Sequence, residues 1–179
     1  MEPGAAGQNV RVRRGGASTA HRPGYDGGML HVALWEPEIP PNTGNVARLC
    51  AATGTRLHLI GRLGFRTDDK SVKRAGLDYW PHVDWVRHAT FDDFLAAVAP
   101  ARIWAVDNPA PLNYTRAAFA DGDVLLFGSE SKGLPPGVRE LFADRTIGIP
   151  MTTPVVRSLN LATAVGVVLY EALRQIERW

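Results

Sequence analysis

The chain has 179 residues, of which 45% are hydrophobic and 21% charged, the make-up of an ordinary globular protein long enough to bury a sizeable core. One cysteine, Cys50, excludes an internal disulfide framework, and no apolar run reaches the roughly 18 residues that a membrane-spanning helix needs. The four arginines of residues 1–28 (Arg11, Arg13, Arg14, Arg22) leave 16 basic and 16 acidic residues over 29–179, so net charge excludes a generally basic nucleic-acid binder and any electrostatic footprint must be local.

Residues 1–28 are rich in Gly, Arg and Ala and are expected to form a flexible basic extension. They carry no apolar stretch of the secretory kind, and a cytoplasmic protein is expected. From Met29 the pattern alternates. Leu30–Trp35 reads as a strand. Asn42 to Gly54 reads as a helix with Asn42 or Thr43 as cap and Gly54 as stop. Arg56–Ile60 is a strand, Thr67–Gly76 a short basic helix, Trp85–His88 a strand, and Thr90–Ala99 a helix capped by Thr90. Arg102–Val106 and Val124–Phe127 are strands, Pro135–Phe142 is a helix that starts on prolines, and Thr146–Ile149 is the sixth strand. A long helix from Ser158 to about Arg178 places Leu161, Val165, Val168, Ala172 and Ile176 on one face, widened by Leu169 and Leu173. Six short strands alternating with helices predict an α/β fold, a mainly parallel sheet with helices on both faces, in one domain over 29–179.

In such a sheet ligands bind beyond the carboxyl ends of the strands. Three loops there are long and rich in Gly, Pro and polar residues: Glu36–Gly44, Gly128–Leu134 and Pro150–Arg157. The dinucleotide G-x-G-x-x-G, the P-loop and the G-x-S-x-G elbow are absent, and the five histidines are scattered without metal spacing. No metal is expected. What remains is a strand entering a glycine loop, Phe127-Gly128-Ser129-Glu130-Ser131-Lys132-Gly133-Leu134-Pro135, and a second loop opening the last helix, Ile149-Pro150-Met151 followed by Ser158-Leu159-Asn160-Leu161.

With Pro41-Asn42-Thr43-Gly44-Asn45-Val46-Ala47-Arg48-Leu49-Cys50 ahead of them, these motifs resemble in kind and order the SPOUT superfamily of RNA methyltransferases. Glu36-Pro37-Glu38-Ile39-Pro40-Pro41 and Arg74-Ala75-Gly76-Leu77-Asp78-Tyr79 bring the resemblance nearer to the branch that methylates the 2′-hydroxyl of cytidine or uridine at the tRNA wobble position. The resemblance spans Met29 to about Arg178. It implies a C-terminal trefoil knot, a homodimer, tRNA as substrate and S-adenosylmethionine as cofactor. It also implies a cofactor pocket of Val106, Gly128, Glu130, Gly133, Leu134, Ile149, Met151, Ser158, Leu159 and Asn160, and a catalytic role for Arg48.

A guanidinium stays charged in proteins. Arg48 is therefore expected to hold a phosphate and orient the 2′-hydroxyl rather than remove its proton. Lys70, Lys73 and Arg74 make one cationic helix face, and with Arg157, Asn42 and Asn45 they are the candidate RNA contacts. Taken without the resemblance, Arg48 reads as a surface arginine with an ion-pair partner, the Lys70 cluster as a solvated face, the asparagines as caps and Cys50 as core. The alternatives are a ribosomal-RNA methyltransferase, a non-catalytic nucleotide- or RNA-binding module, and a flavin-binding fold, which a yellow preparation would reveal.

Overall fold

The computed structural model describes residues 28–65 and 80–177. The basic helix expected over 67–76, with Lys70, Lys73 and Arg74, and the extension 1–27 lie outside the described residues. Seven strands form one sheet: β1 (His31–Trp35), β2 (Arg56–Ile60), β3 (Trp85–His88), β4 (Ile103–Val106), β5 (Leu112–Asn113), β6 (Val124–Phe127) and β7 (Thr146–Gly148). Their order is β3-β2-β1-β6-β4-β7-β5, and every pairing is parallel. The expected six strands thus become seven. The added strand, β5, has two residues and exists through its pairing with β7, Leu112 to Ile147 and Asn113 to Gly148.

Both faces of the sheet are covered, which is why β4 and β6 are apolar at every position and wholly buried. On one face lie α1 (Pro40–Thr53) and α4 (Leu161–Glu177). Val46 and Cys50 of the first and Leu161, Val165, Val168, Leu169, Ala172 and Leu173 of the second share a core with Val32, Leu34, Leu125 and Phe127. Ile176, at the end of that stripe, packs against it half-buried. On the other face α2 (Phe91–Val98) and α3 (Pro136–Leu141) pack Phe94, Val98 and Val138 on Ala33, Ile60 and Leu126.

Helix ends account for most departures from expectation. Gly54 does stop α1, in the left-handed conformation at φ 69°. Thr90 does cap α2, in a reciprocal capping box with Asp93. But α1 begins at Pro40, ahead of Asn42, and its cap residue Ile39 makes no side-chain cap. Asn42 and Thr43 are buried inside the first turn. The last helix begins at Leu161 rather than Ser158. Its cap is Asn160, whose Oδ1 accepts from the N–H groups of Ala162 (2.9 Å) and Thr163 (3.4 Å). A serine at 158 lies too far ahead of those donors to serve.

The sheet also gathers three histidines. His58 lies at the centre of β2, with its Nε2 2.9 Å from His31 Nδ1 and its Nδ1 2.9 Å from His88 Nε2. Phe94 packs edge-on against His58 and His88. A neutral imidazole donates at one nitrogen and accepts at the other, so a neutral chain satisfies itself. Burial lowers the pKa of all three below the ordinary value, that of His58 to about 3, with the neighbouring histidines and Arg56 acting the same way on His58. Asp84 near His31 and Asp93 near His88 oppose the shift. The folded pKa values lie below the unfolded ones, so this stability is complete above pH ~6.5 and is lost as the pH falls toward the folded value. His58 alone is expected to remove about 2 kcal/mol between pH 7.5 and pH 5. Urea midpoints at the two pH values check this. His58→Leu should be less stable at pH 7.5 and should flatten the pH dependence.

Candidate active site

The strand order reverses at the β1–β6 boundary: the chain steps outward from β1 to β2 and β3, then returns to the other side of β1. Loops leaving the carboxyl ends of β1, β4, β6 and β7 meet there around a cavity of about 640 Å³, a volume in the range of small-molecule and cofactor sites.

The loop after β6 is built on two glycines. A Cβ on Gly128 would overlap the carbonyl carbon of Gly133 and the amide nitrogen of Leu134, so only glycine lets the two limbs of the loop touch. They are joined by Ser129 N–H to Gly133 O (3.2 Å) and Gly133 N–H to Ser129 O (2.9 Å). Gly133 has φ +67°, a conformation side chains disfavour. The turn presents the Gly128–Gly133 backbone to the cavity.

Glu130, at the tip of this loop, reaches across to the start of α1. Its carboxylate accepts from the N–H groups of Glu38 (2.8 Å) and Ile39 (3.2 Å) and from Asn42 Nδ2 (3.0 Å). Asn42 Oδ1 in turn accepts from Asn160 Nδ2 at 2.9 Å. Glu38 closes the junction from the other side, accepting from Ser131 Oγ (2.6 Å) and Ser131 N–H (3.1 Å). One polar chain therefore links the loop after β1, the glycine loop and the cap of α4.

Of the residues singled out for the cofactor, Val106, Gly128, Glu130, Gly133, Ile149, Ser158, Leu159 and Asn160 line this cavity, and Asn42 and Arg157 join them. Leu134 and Met151 do not. Leu134 is 2% exposed and packs beneath the loop in the α2–α3 core, because the residue after a tight turn points back into the sheet it left. Arg48 and Asn45 are exposed on α1 and lie off the cavity wall. Cys50 is buried, and burial pushes its thiol up to about 12, so it holds no thiolate for covalent chemistry.

Sequence reasoning missed Asp107, Asn108, Lys132 and Arg139, all on the wall. Asp107 and Asn108 directly follow β4, and the rule that ligands gather at strand carboxyl ends was the signal that would have found them. Among the described residues, no group of three His, Cys, Asp or Glu side chains is placed to hold a metal ion, and no helix is long and apolar enough to cross a membrane.

Residues 29–170 match the model of the SpoU rRNA methylase family. The chain belongs to that family. A tRNA (cytidine(34)-2′-O)-methyltransferase from Aeromonas hydrophila is 52% identical over 149 residues, covering 83% of this chain and 95% of the relative. A solved structure described as giving insights into 2-OH methylation of C/U34 on tRNA is 52% identical, with a TM-score of 0.80 over 85% of this chain and 99% of that one. The SpoU methyltransferase AviRb of Streptomyces viridochromogenes, solved in complex with the cofactor AdoMet, is 30% identical, with a TM-score of 0.72 over 83% of this chain and 58% of that one.

The cavity fits such a cofactor chemically. Val106, Phe127, Ile149, Leu159 and Leu161 offer an apolar slot for a purine, and the glycine loop offers unshielded backbone groups beside it.

Proposed function

We propose that this chain is an S-adenosylmethionine-dependent methyltransferase acting on the 2′-hydroxyl of the cytidine or uridine at the tRNA wobble position. The observation that carries the reading is the cavity at the carboxyl ends of β1, β4, β6 and β7, floored by the Gly128–Gly133 turn, in a chain whose 52%-identical relative is a tRNA (cytidine(34)-2′-O)-methyltransferase. Bound S-adenosylmethionine supplies an electrophilic methyl on a cationic sulfur, so the work left to the protein is positioning.

In this reading Val106, Ile149 and Leu159 hold the adenine, and the backbone of the glycine loop gives it direction. Lys132 and Arg157 on the wall meet RNA phosphates that approach the mouth. Arg48, exposed on the helix whose start Glu130 anchors, takes the phosphate beside the acceptor ribose and turns its 2′-hydroxyl toward the site. The enzyme works as a homodimer in the cytoplasm. Exposed Tyr170 on α4, and Val155 and Val156 in the loop before it, are the apolar surface such a pairing would cover. Sedimentation velocity that returns a monomer would remove the dimer from this reading.

Purified protein incubated with unmodified tRNA and labelled S-adenosylmethionine, followed by nuclease digestion and mass spectrometry, tests the reaction. A 2′-O-methyl group at the wobble nucleotide is the expected product. A methyl group elsewhere, or transfer only to ribosomal RNA, overturns the substrate. Arg48→Ala is expected to lower turnover about 10- to 100-fold while isothermal titration finds its affinity for S-adenosylhomocysteine unchanged.

A further inference from the structure

We propose that Asp107 is a cofactor-binding residue whose carboxylate accepts hydrogen bonds from the vicinal hydroxyls of the cofactor ribose, while Arg139 holds that carboxylate in place. The inference rests on the methyltransferase reading above and assigns this chain a polar contact that the glycine loop and the apolar slot do not provide.

Asp107 is the first residue beyond β4, and its backbone is fixed, since its N–H donates to Ile147 O at 3.1 Å. The next residue is fixed too: Asn108 Nδ2 donates to Ile149 O at 3.0 Å, binding the loops after β4 and β7 together. The Asp107 side chain is 16% exposed and lies on the cavity wall. Its Oδ1 accepts from Asn108 N–H at 2.8 Å, and its Oδ2 stands 3.6 Å from Arg139 Nε. A carboxylate has about four acceptor positions, and one short bond with one long ion pair leaves part of that capacity facing the cavity.

Glu130, the other carboxylate on the wall, differs: it receives three donors, all from the protein itself. Glycine at 133 matters here as well. A Cβ at that position would stand 3.4 Å from Asp107 Oδ1 and 3.8 Å from Oδ2, so any side chain there would cover the carboxylate, and glycine leaves it open.

Two oxygens of one carboxylate match the two hydroxyls of a ribose. An acidic side chain beyond the carboxyl end of a parallel strand is a general solution for holding that diol. The competing donor on the cofactor is the α-ammonium of its amino-acid tail. An ammonium seated on Asp107 would sit against the Arg139 guanidinium and be repelled by it, whereas neutral hydroxyls meet no such conflict. Burial raises the pKa of Asp107 while Asn108 N–H and Arg139 oppose the rise, the condition in which added donors stabilise an under-solvated anion most.

Isothermal titration of the parent chain and of Asp107→Asn with three ligands decides the matter. S-adenosylhomocysteine carries the diol and the tail, 5′-methylthioadenosine the diol alone, and 2′,3′-dideoxy-5′-methylthioadenosine neither. Asp107→Asn is expected to weaken the first two equally, by about 10- to 100-fold, and to bind the dideoxy ligand as the parent does, which also reports an intact site. Arg139→Gln keeps the carboxylate but releases its positioning partner, and is expected to weaken 5′-methylthioadenosine binding by about threefold, well short of the loss in Asp107→Asn. Unchanged affinity of Asp107→Asn for S-adenosylhomocysteine overturns the inference and leaves the methyltransferase reading standing. A loss confined to S-adenosylhomocysteine overturns it in favour of the tail. A parent chain that binds neither diol ligand overturns the methyltransferase reading and this inference with it.

Discussion

Gly128→Ala is expected to abolish binding of S-adenosylhomocysteine and to lower stability by about 3–5 kcal/mol. The added methyl would overlap the backbone of Gly133 and Leu134, which has no soft degree of freedom to yield. The two limbs of the loop must part, and the paired hydrogen bonds between Ser129 and Gly133 break with them. The damage spreads inward because Leu134 is buried in the core under α2 and α3. It spreads outward because the displaced backbone is the cavity floor. Gly137→Ala is the control: an added methyl there meets nothing, and in a helix alanine is the better residue. Urea unfolding of both variants, with calorimetric titration of S-adenosylhomocysteine, separates a specific steric role for Gly128 from a general intolerance of change. A Gly128→Ala protein that binds the ligand as the parent does would refute the assigned packing.

How far the sequence discloses this architecture depends on whether a feature is local. Strands β4 and β6 are legible because burial on both faces demands an unbroken apolar run. Gly54 and Thr90 are legible because a helix terminus selects residue types within its own turn. Strand β5 is not legible. Two half-buried residues carry no period, and only the edge of β7 makes them a strand. The start of α1 is half legible. Pro40 and Pro41 suit a first turn, but the groups that satisfy it arrive from Glu130, and nothing near residue 40 announces a partner some 90 positions away. The histidine chain is invisible for the same reason: residues 31, 58 and 88 meet through the parallel register of three strands. In the site, the glycine loop and the Ser158–Asn160 segment stand out by composition, whereas Asp107 and Arg139 are unremarkable in type and gain meaning from the wall they share.

Glu130 offers the second large effect. Ile39, the cap residue of α1, has no side-chain cap of its own. The Glu130 carboxylate supplies one from the opposite loop, at the positive end of a 14-residue helix. Glu130→Ala removes an acceptor from two backbone N–H groups and leaves Asn42, 7% exposed, with an unpaired amide donor. The loss of stability is expected to be about 2–4 kcal/mol. Asn42 also receives Asn160, the cap of α4, so the start of the last helix should loosen and cofactor affinity should fall with it. Glu130→Gln separates this positioning role from a catalytic one. The amide keeps the shape and one acceptor but turns a donor toward groups that are themselves donors. If Glu130 positions, Glu130→Gln loses stability and cofactor affinity together, while the pH profile of kcat keeps its shape. If Glu130 instead moved a proton, Glu130→Gln would bind cofactor normally, unfold at the parent midpoint and lose turnover alone. The acceptor positions already committed to Glu38, Ile39 and Asn42 argue for the first outcome, because they fix the carboxylate as a strut between the loop and the helix rather than aiming it at the cavity.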